Sequence, residues 1–450
     1  MNLAARLLKS LRRNVRNRSS QSVNKKRRQL KLEMLEDRRV MAVLFTTADN
    51  TTKNWNTLET NGIWSQPFGL GTISGVSWVQ GSDAEIRGPA TSVNFTLSID
   101  SGNIDAKSLS NNMTASGSTL TVSATSTNQL VLSGPSVSVG SGVTTTISAP
   151  IAGSSGLTKS GAGTLTLSGT NVYSGTTSVN AGVLQVSNGS ALGITGAGNG
   201  TTVASGARVN LAGVTTSEAF TIAGHGVGTG AILATNTSTV NGVVTLSENS
   251  TIGSTDSGVT LNLIGASGTS INNAVGTNPT LTFSSVGTID ISNAVSLGNG
   301  GLDKGGSGTV ILQAANTFEG QTVIGAGTLE IRNAAALGST NAGVNLTGGT
   351  LALSGGFTVG AETLTLNGLG LSSGGALRNL TGNNTWGGAI TLGSATRINS
   401  DAGTLTLDVA TGNAIGGTNQ NLTLGGAGNI LISDPIDTGS GSITKDGNGT

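Results

Sequence analysis

Residues 156–186 read GLTKSGAGTLTLSGTNVYSGTTSVNAGVLQV, and residues 301–331 read GLDKGGSGTVILQAANTFEGQTVIGAGTLEI. The two stretches align without a gap and share 13 of 31 positions, among them Lys159/Lys304, Gly161/Gly306, Gly163/Gly308, Leu167/Leu312, Asn171/Asn316, Gly175/Gly320, Gly182/Gly327 and Leu184/Leu329. The likeness continues outside them. Residues 276–309 match 417–450, VVTL (243–246) answers AITL (389–392), and STDSG (254–258) answers NSDAG (399–403). The chain therefore reads as one module at 156–300, a second at 301–441, and the start of a third at 442–450 (SITKDGNGT), where we expect a longer protein to continue. Long-period repetition is the signature of an architecture in which each unit buries its apolar face against the next.

Apolar residues alternate with Thr, Ser and Asn in runs of four to six (TLTL at 164–167, TLTLDV at 404–409, NLTL at 421–424). That period of two belongs to strands with one buried face. Gly, Asn, Ser and Asp separate the runs and supply the backbone freedom of tight turns. The 71 glycines and 10% charged residues could describe a flexible tract, but the regular alternation argues for ordered β structure from about residue 45. A single globular core at this length is unusual, whereas a stacked chain has no such limit. The expected fold is all-β, a parallel β-helix (solenoid), with a β-sandwich array as its rival. An N-terminal cap is expected at 43–110, where Trp55, Trp64 and Trp78 cluster, and a lead-in at 111–155. The tryptophans suit a cap over the terminal apolar face better than a carbohydrate-binding platform.

Charge divides the chain. The first 40 residues hold 13 of the 23 Lys and Arg against Glu33, Glu36 and Asp37, about +10, and the rest carries about −9. Leu3, Leu7, Leu11 and Val15 fall at helical spacing in this basic tail, but no apolar run of secretory-signal or membrane-spanning length follows. Cysteine is absent, which excludes disulfides, thiolate metal sites and thiol nucleophiles. The segment KLEMLEDRRVMA (31–42) resembles an amino-terminal sorting motif of large exported planctomycete proteins, with Glu33, Leu35, Glu36, Arg38, Val40, Met41 and Ala42 in its places and Asp37 where proline is commonest. The resemblance implies that 1–42 is a flexible export tail that engages export machinery. The competing reading is an arm that binds polyanions.

The stretch 156–186 resembles the autotransporter-associated β-strand repeat, also called the passenger-associated transport repeat. Leu157, Lys159, Gly161, Gly163, Thr164, Leu165, Leu167, Gly169, Asn171, Tyr173, Gly175, Thr177, Ala181, Gly182 and Leu184 fill its pattern; the second copy departs at Ala314 and Phe318. The resemblance implies that the β-helix is right-handed and lies in the extracellular passenger of a large bacterial surface protein. Read physically, Gly161 and Gly163 turn the chain into the strand Thr164–Leu167, Leu165 and Leu167 point inward, Asn171 satisfies backbone groups at a corner, and Tyr173 covers that corner.

Enzymes on this type of scaffold need converging carboxylates. The closest acidic pairs are Asp83/Glu85, Asp100/Asp105 and Asp434/Asp437, whereas Asp303, Glu319 and Glu330 replace Thr158, Ser174 and Gln185 of the first module. Asp256/Asp401 is the acidic position the modules share, in a turn. His225, the lone histidine, lies among glycines without a helix to make a phosphate loop. Trp386 answers Val240 and fills space. We therefore expect no catalytic residue, metal site or cofactor, and a non-enzymatic, adhesin-like exported protein, secreted or at the cell surface or outer membrane. Its partner would be an extracellular ligand such as a polysaccharide or another cell surface, with no nucleic acid. A β-helical polysaccharide lyase or hydrolase is the alternative.

Overall fold

The computed structural model describes residues 43–47, 52–55, 64–68, 71–76, 80–88 and 91–450. Residues 1–40 form a separate unit from 41–450. The sorting segment, the amphipathic spacing at Leu3 to Val15, Trp78 and the Trp64 side chain lie outside the described residues.

From Ser82 onward the strand ladders are parallel, and the chain winds as a β-solenoid with three faces. The sandwich array, built on antiparallel pairs, is not what forms. Alternation does what the sequence requires: Thr164–Leu167 is a strand with Leu165 and Leu167 fully buried, and Thr404–Leu407 repeats the pattern with Leu405 and Leu407. Each such inward side chain contributes roughly 1.5–3 kcal/mol of transfer free energy. Inward residues of successive turns stack in register, as in Leu120–Thr145–Leu165–Leu184–Val209, so one continuous core runs along the axis.

At the amino-terminal end Val43–Thr47 pairs in parallel with Ser82–Arg87 and touches the antiparallel hairpin Trp64–Phe68/Gly71–Val76 at Phe45↔Ser65. An antiparallel hairpin beside the first turn occupies hydrogen-bonding groups that an exposed edge would offer to other chains. Trp55 is buried in the core beneath this region. The parallel ladder passes residues 110 and 155 without a break.

We number the faces in the order the chain visits them. Face one carries Leu157–Ser160 and face two Thr164–Leu167; face three carries Ile151–Ala152 and later Ser238–Val240. Face two is unbroken from Thr52–Asn54 to Ile436–Asp437. The other two are interrupted where the repeat motif lies. Face three has no strand between Ile151–Ala152 and Thr215–Thr216, and face one has none between Ala294–Ser296 and Thr358–Val359.

The two gaps fall on different faces because a module is not a whole number of turns. Leu157–Ser160 opens the first copy on face one, and six turns later the chain is at Ala294–Ser296 on the same face. The second copy then opens one face further on, with Leu302–Lys304 paired to Leu281–Ser285 on face two. Six more turns lead to Ile436–Asp437, and the third copy opens another face on, with Ile443–Lys445 paired to Leu422–Gly425 on face three. Each module thus advances the motif by one face.

Close stacking makes some glycines obligatory. A Cβ on Gly308 would lie 2.0 Å from the carbonyl oxygen of Gly287 in the preceding turn, and one on the equivalent Gly163 would lie 2.1 Å from that of Gly140. Neither has a left-handed backbone, so the constraint is contact alone. Gly308→Ala should destabilise residues 43–450 by about 1–3 kcal/mol in denaturant unfolding, whereas Gly258→Ala, where a Cβ meets open space, should leave the midpoint unchanged.

Candidate functional site

The repeated motif builds a corner where a strand is missing. In the first copy Asn171 is buried, and its Oδ1 accepts the N–H of Ile151 in the preceding turn at 2.8 Å. Its Nδ2 donates to the carbonyl of Ala191 in the following turn at 2.5 Å. One amide therefore links three consecutive turns at a place without a strand ladder. The second copy repeats this atom for atom: the Val295 N–H donates to Asn316 Oδ1 at 2.8 Å, and Asn316 Nδ2 donates to the Ala336 carbonyl at 2.5 Å.

Lys159 and Lys304 brace the adjoining corner from inside. Lys159 is fully buried, and its Nζ donates to the carbonyls of Ser160 at 2.9 Å, Gly161 at 2.7 Å and Ala181 at 3.0 Å, the last in the next turn. Lys304 likewise donates to Gly306 and, at 3.1 Å, to Ala326. Burial pushes both ammonium groups down to about 8, so they stay charged at neutral pH. This places the motif lysine, to which the sequence alone gave no task, as a strap between turns. In the third copy Lys445 donates to Gly447 at 3.2 Å but is exposed.

Tyr173 and Phe318 cover the two corners, both fully enclosed. The Tyr173 hydroxyl lies 2.7 Å from Thr177 Oγ1. Phe318 has no hydroxyl, and the equivalent Thr322 Oγ1 is buried without a partner.

A second duplicated group emerges that the sequence comparison missed. Asp256/Asp401 is not the only shared acidic position. Glu218 and Glu362 occupy matching turns, just after the strands Thr215–Thr216 and Thr358–Val359 that resume the interrupted face, and both are nearly inaccessible at 1% and 2% exposure. The modules need a one-residue shift there, which hid the match. Glu218 Oε1 accepts the Thr201 hydroxyl at 2.7 Å, and its Oε2 is buried without a partner. Burial pushes both carboxyls up to about 7. Gly242 and Gly388 press on their main-chain carbonyls from the next turn, where a Cβ would sit 1.9 and 1.8 Å from the oxygen.

Most of the other acidic candidates are locally engaged, whereas Asp100 keeps a buried carboxylate oxygen without a hydrogen-bond partner. Asp83 accepts from Ser108 at 2.6 Å, Glu85 from Arg87 and Asn112, Asp434 from the Val409 N–H, and Asp437 from the Gly439 N–H. Asp256 and Asp401 share a turn but not partners: the first accepts from Thr255, the second from Arg378 and Asn399. Glu330 pairs with Arg332. His225 Nδ1 lies 2.6 Å from Thr251 Oγ1 in an exposed loop, and Trp386 is fully buried at the position of Val240. Among the described residues no three His, Asp or Glu side chains gather closely enough to hold a metal ion, and no helix is long and apolar enough to cross a membrane.

Fold and corner together define a parallel β-solenoid with a duplicated, internally braced corner. The Passenger-associated-transport-repeat family matches residues 157–186 and 302–331, so each module carries one such repeat. The Adhesin BmaC autotransporter of Brucella suis biovar 1 is 41% identical over 90 residues, 20% of this chain. The chain spans about 2% of the length of that relative. No solved structure gives a significant match.

Two predictions follow from the corner. Tyr173→Phe should cost about 1 kcal/mol by stranding Thr177, and Phe318→Tyr should regain a similar amount by satisfying Thr322, both read from denaturant midpoints. The buried glutamates set a pH dependence. Their folded-state values lie above the ordinary 4.5, so their contribution to stability is full below pH 4.5 and is lost as pH rises to about 7. Melting temperature should fall across that window, and the double variant Glu218→Gln/Glu362→Gln should flatten the fall, each site accounting for about 1–3 kcal/mol.

Proposed function

We propose that this chain is a non-enzymatic, adhesin-like segment of an exported protein, a solenoid that holds surface loops outside the cell. The observation that carries the reading is that both copies of the passenger-type repeat form the same internally braced corner of one continuous parallel ladder. The residues the repeat retains are spent on holding turns together: amide, ammonium and aromatic ring all point inward and meet backbone or core. The similarity to an autotransporter named as an adhesin supports the same reading. The local engagement of most candidate carboxylates favours it over a polysaccharide lyase or hydrolase, whose chemistry needs two or three acids free to converge on adjacent turns of one face.

The basic tail 1–42 is assigned the task of addressing export through its Glu-x-Leu-Glu-x-Arg segment. Intact cells producing the full chain should label with an antibody against residues 43–450. Deleting 1–42 should abolish that labelling and leave the melting temperature of 43–450 unchanged. Surface labelling that survives the deletion would refute the sorting role. Turnover of pectin, alginate or a sulfated glycan by the purified chain, lost on changing one carboxylate, would establish the enzyme reading instead.

A further inference from the structure

Where face three lacks strands, the first module has an open, shallow groove lined by Thr170, Val172, Ser190, Ile194, Thr195 and Ser217, with Asn188 at its side. These positions come from three consecutive turns, those of Thr164–Leu167, Gly182–Val186 and Ala207–Ala212, so the groove runs along the solenoid axis. The groove has a structural cause. The Asn171 amide holds the turns together without a strand, and the chain there turns its small polar side chains outward.

The lining has a distinct chemistry. Thr170, Ser190, Thr195 and Ser217 are exposed, and the hydroxyls of Ser190, Thr195 and Ser217 take no partner within the protein. No charged side chain lines the groove. Val172 and Ile194, 50% and 46% exposed, supply two aliphatic patches between the hydroxyls. A polyanion would find no cation to replace its counterions. A protein partner of ordinary kind buries about 800 Å² a side around an apolar, often aromatic centre, which two isolated aliphatic side chains do not provide. Rows of hydroxyl donors and acceptors recurring at the turn spacing of about 4.8 Å, with aliphatic patches for the C–H faces of sugar rings, match an uncharged glycan strand.

We propose that this groove binds an uncharged polysaccharide chain laid along the solenoid axis. The proposal rests on the surface reading above, since only an external solenoid meets such a ligand. The labelling of intact cells and the binding of purified protein are separate measurements, so either can fail alone.

The second module supplies the control. At the matching positions it has Ala315 for Thr170, Thr317 for Val172, Ala335 for Ser190 and Ser339 for Ile194, with Asn316 and Phe318 holding the same corner. A variant carrying Thr170→Ala, Val172→Thr, Ser190→Ala and Ile194→Ser therefore uses residues that this corner already accommodates, and an unchanged melting temperature verifies its folding. The test is calorimetric titration of the full chain with cellohexaose, xylohexaose, laminarihexaose and mannohexaose, and with oligogalacturonate as the charged counterpart. At least one neutral hexasaccharide should bind with an affinity insensitive to salt, and the fourfold variant should weaken it about tenfold or more. Failure of all four neutral probes would overturn the proposal. So would binding that survives the fourfold substitution, or a preference for oligogalacturonate that salt abolishes.

Discussion

Everything in this solenoid depends on each turn closing onto the one before it at strand spacing. A parallel ladder satisfies its backbone only through its neighbours, so a turn that loses its strand on one face must find another way to pair the N–H and C=O groups left there. The repeat motif is the chain's answer. Its asparagine replaces a missing strand by reaching one turn back and one turn forward, and its lysine ties carbonyls at the adjoining corner from the inside. Both polar groups are buried, and both are tolerable because they are bonded. The aromatic residue then fills the corner. Seen this way, the strongly patterned residues of the sequence mark the places where the regular architecture is suspended.

That suspension also explains where variable chemistry can sit. Side chains on continuous faces alternate between core and solvent with little freedom of position. Where strands are absent, the chain between Leu167 and Thr177 and between Val186 and Thr201 carries outward groups that the modules do not share, such as Val172 against Thr317 and Ile194 against Ser339. The braced corner stays constant beneath them. This separation of a fixed interior from a changeable exterior is the usual arrangement of repeat scaffolds that present binding surfaces.

Much of this was legible from residues alone. Period-two alternation and the ungapped repeat identify stacked strands, and the strand Thr164–Leu167 with its inward leucines forms where the pattern places it. The asparagine's corner role followed from its chemistry. The task of Lys159 did not, because a lysine in a polar, glycine-rich stretch reads as exposed until three carbonyls are seen around it. Glu218 and Glu362 were hidden by a one-residue shift in the alignment and by differing neighbours: Thr201 beside the first corresponds to Val344 near the second. The stepping of the motif from face to face was equally invisible, because an ungapped match in sequence carries no information about how many turns intervene.

That stepping has a consequence for how such molecules meet one another. A repeat containing a whole number of turns would place every copy of an outward patch on the same side, making a straight seam along which two molecules could zip together through many identical contacts. Here the copies follow a screw, each motif opening one face further round than the one before. A partner approaching from one side that meets the motif of one module does not meet that of the next. Side-by-side self-association is thereby starved of repeated contacts, while a ligand long enough to wind around the axis meets every one.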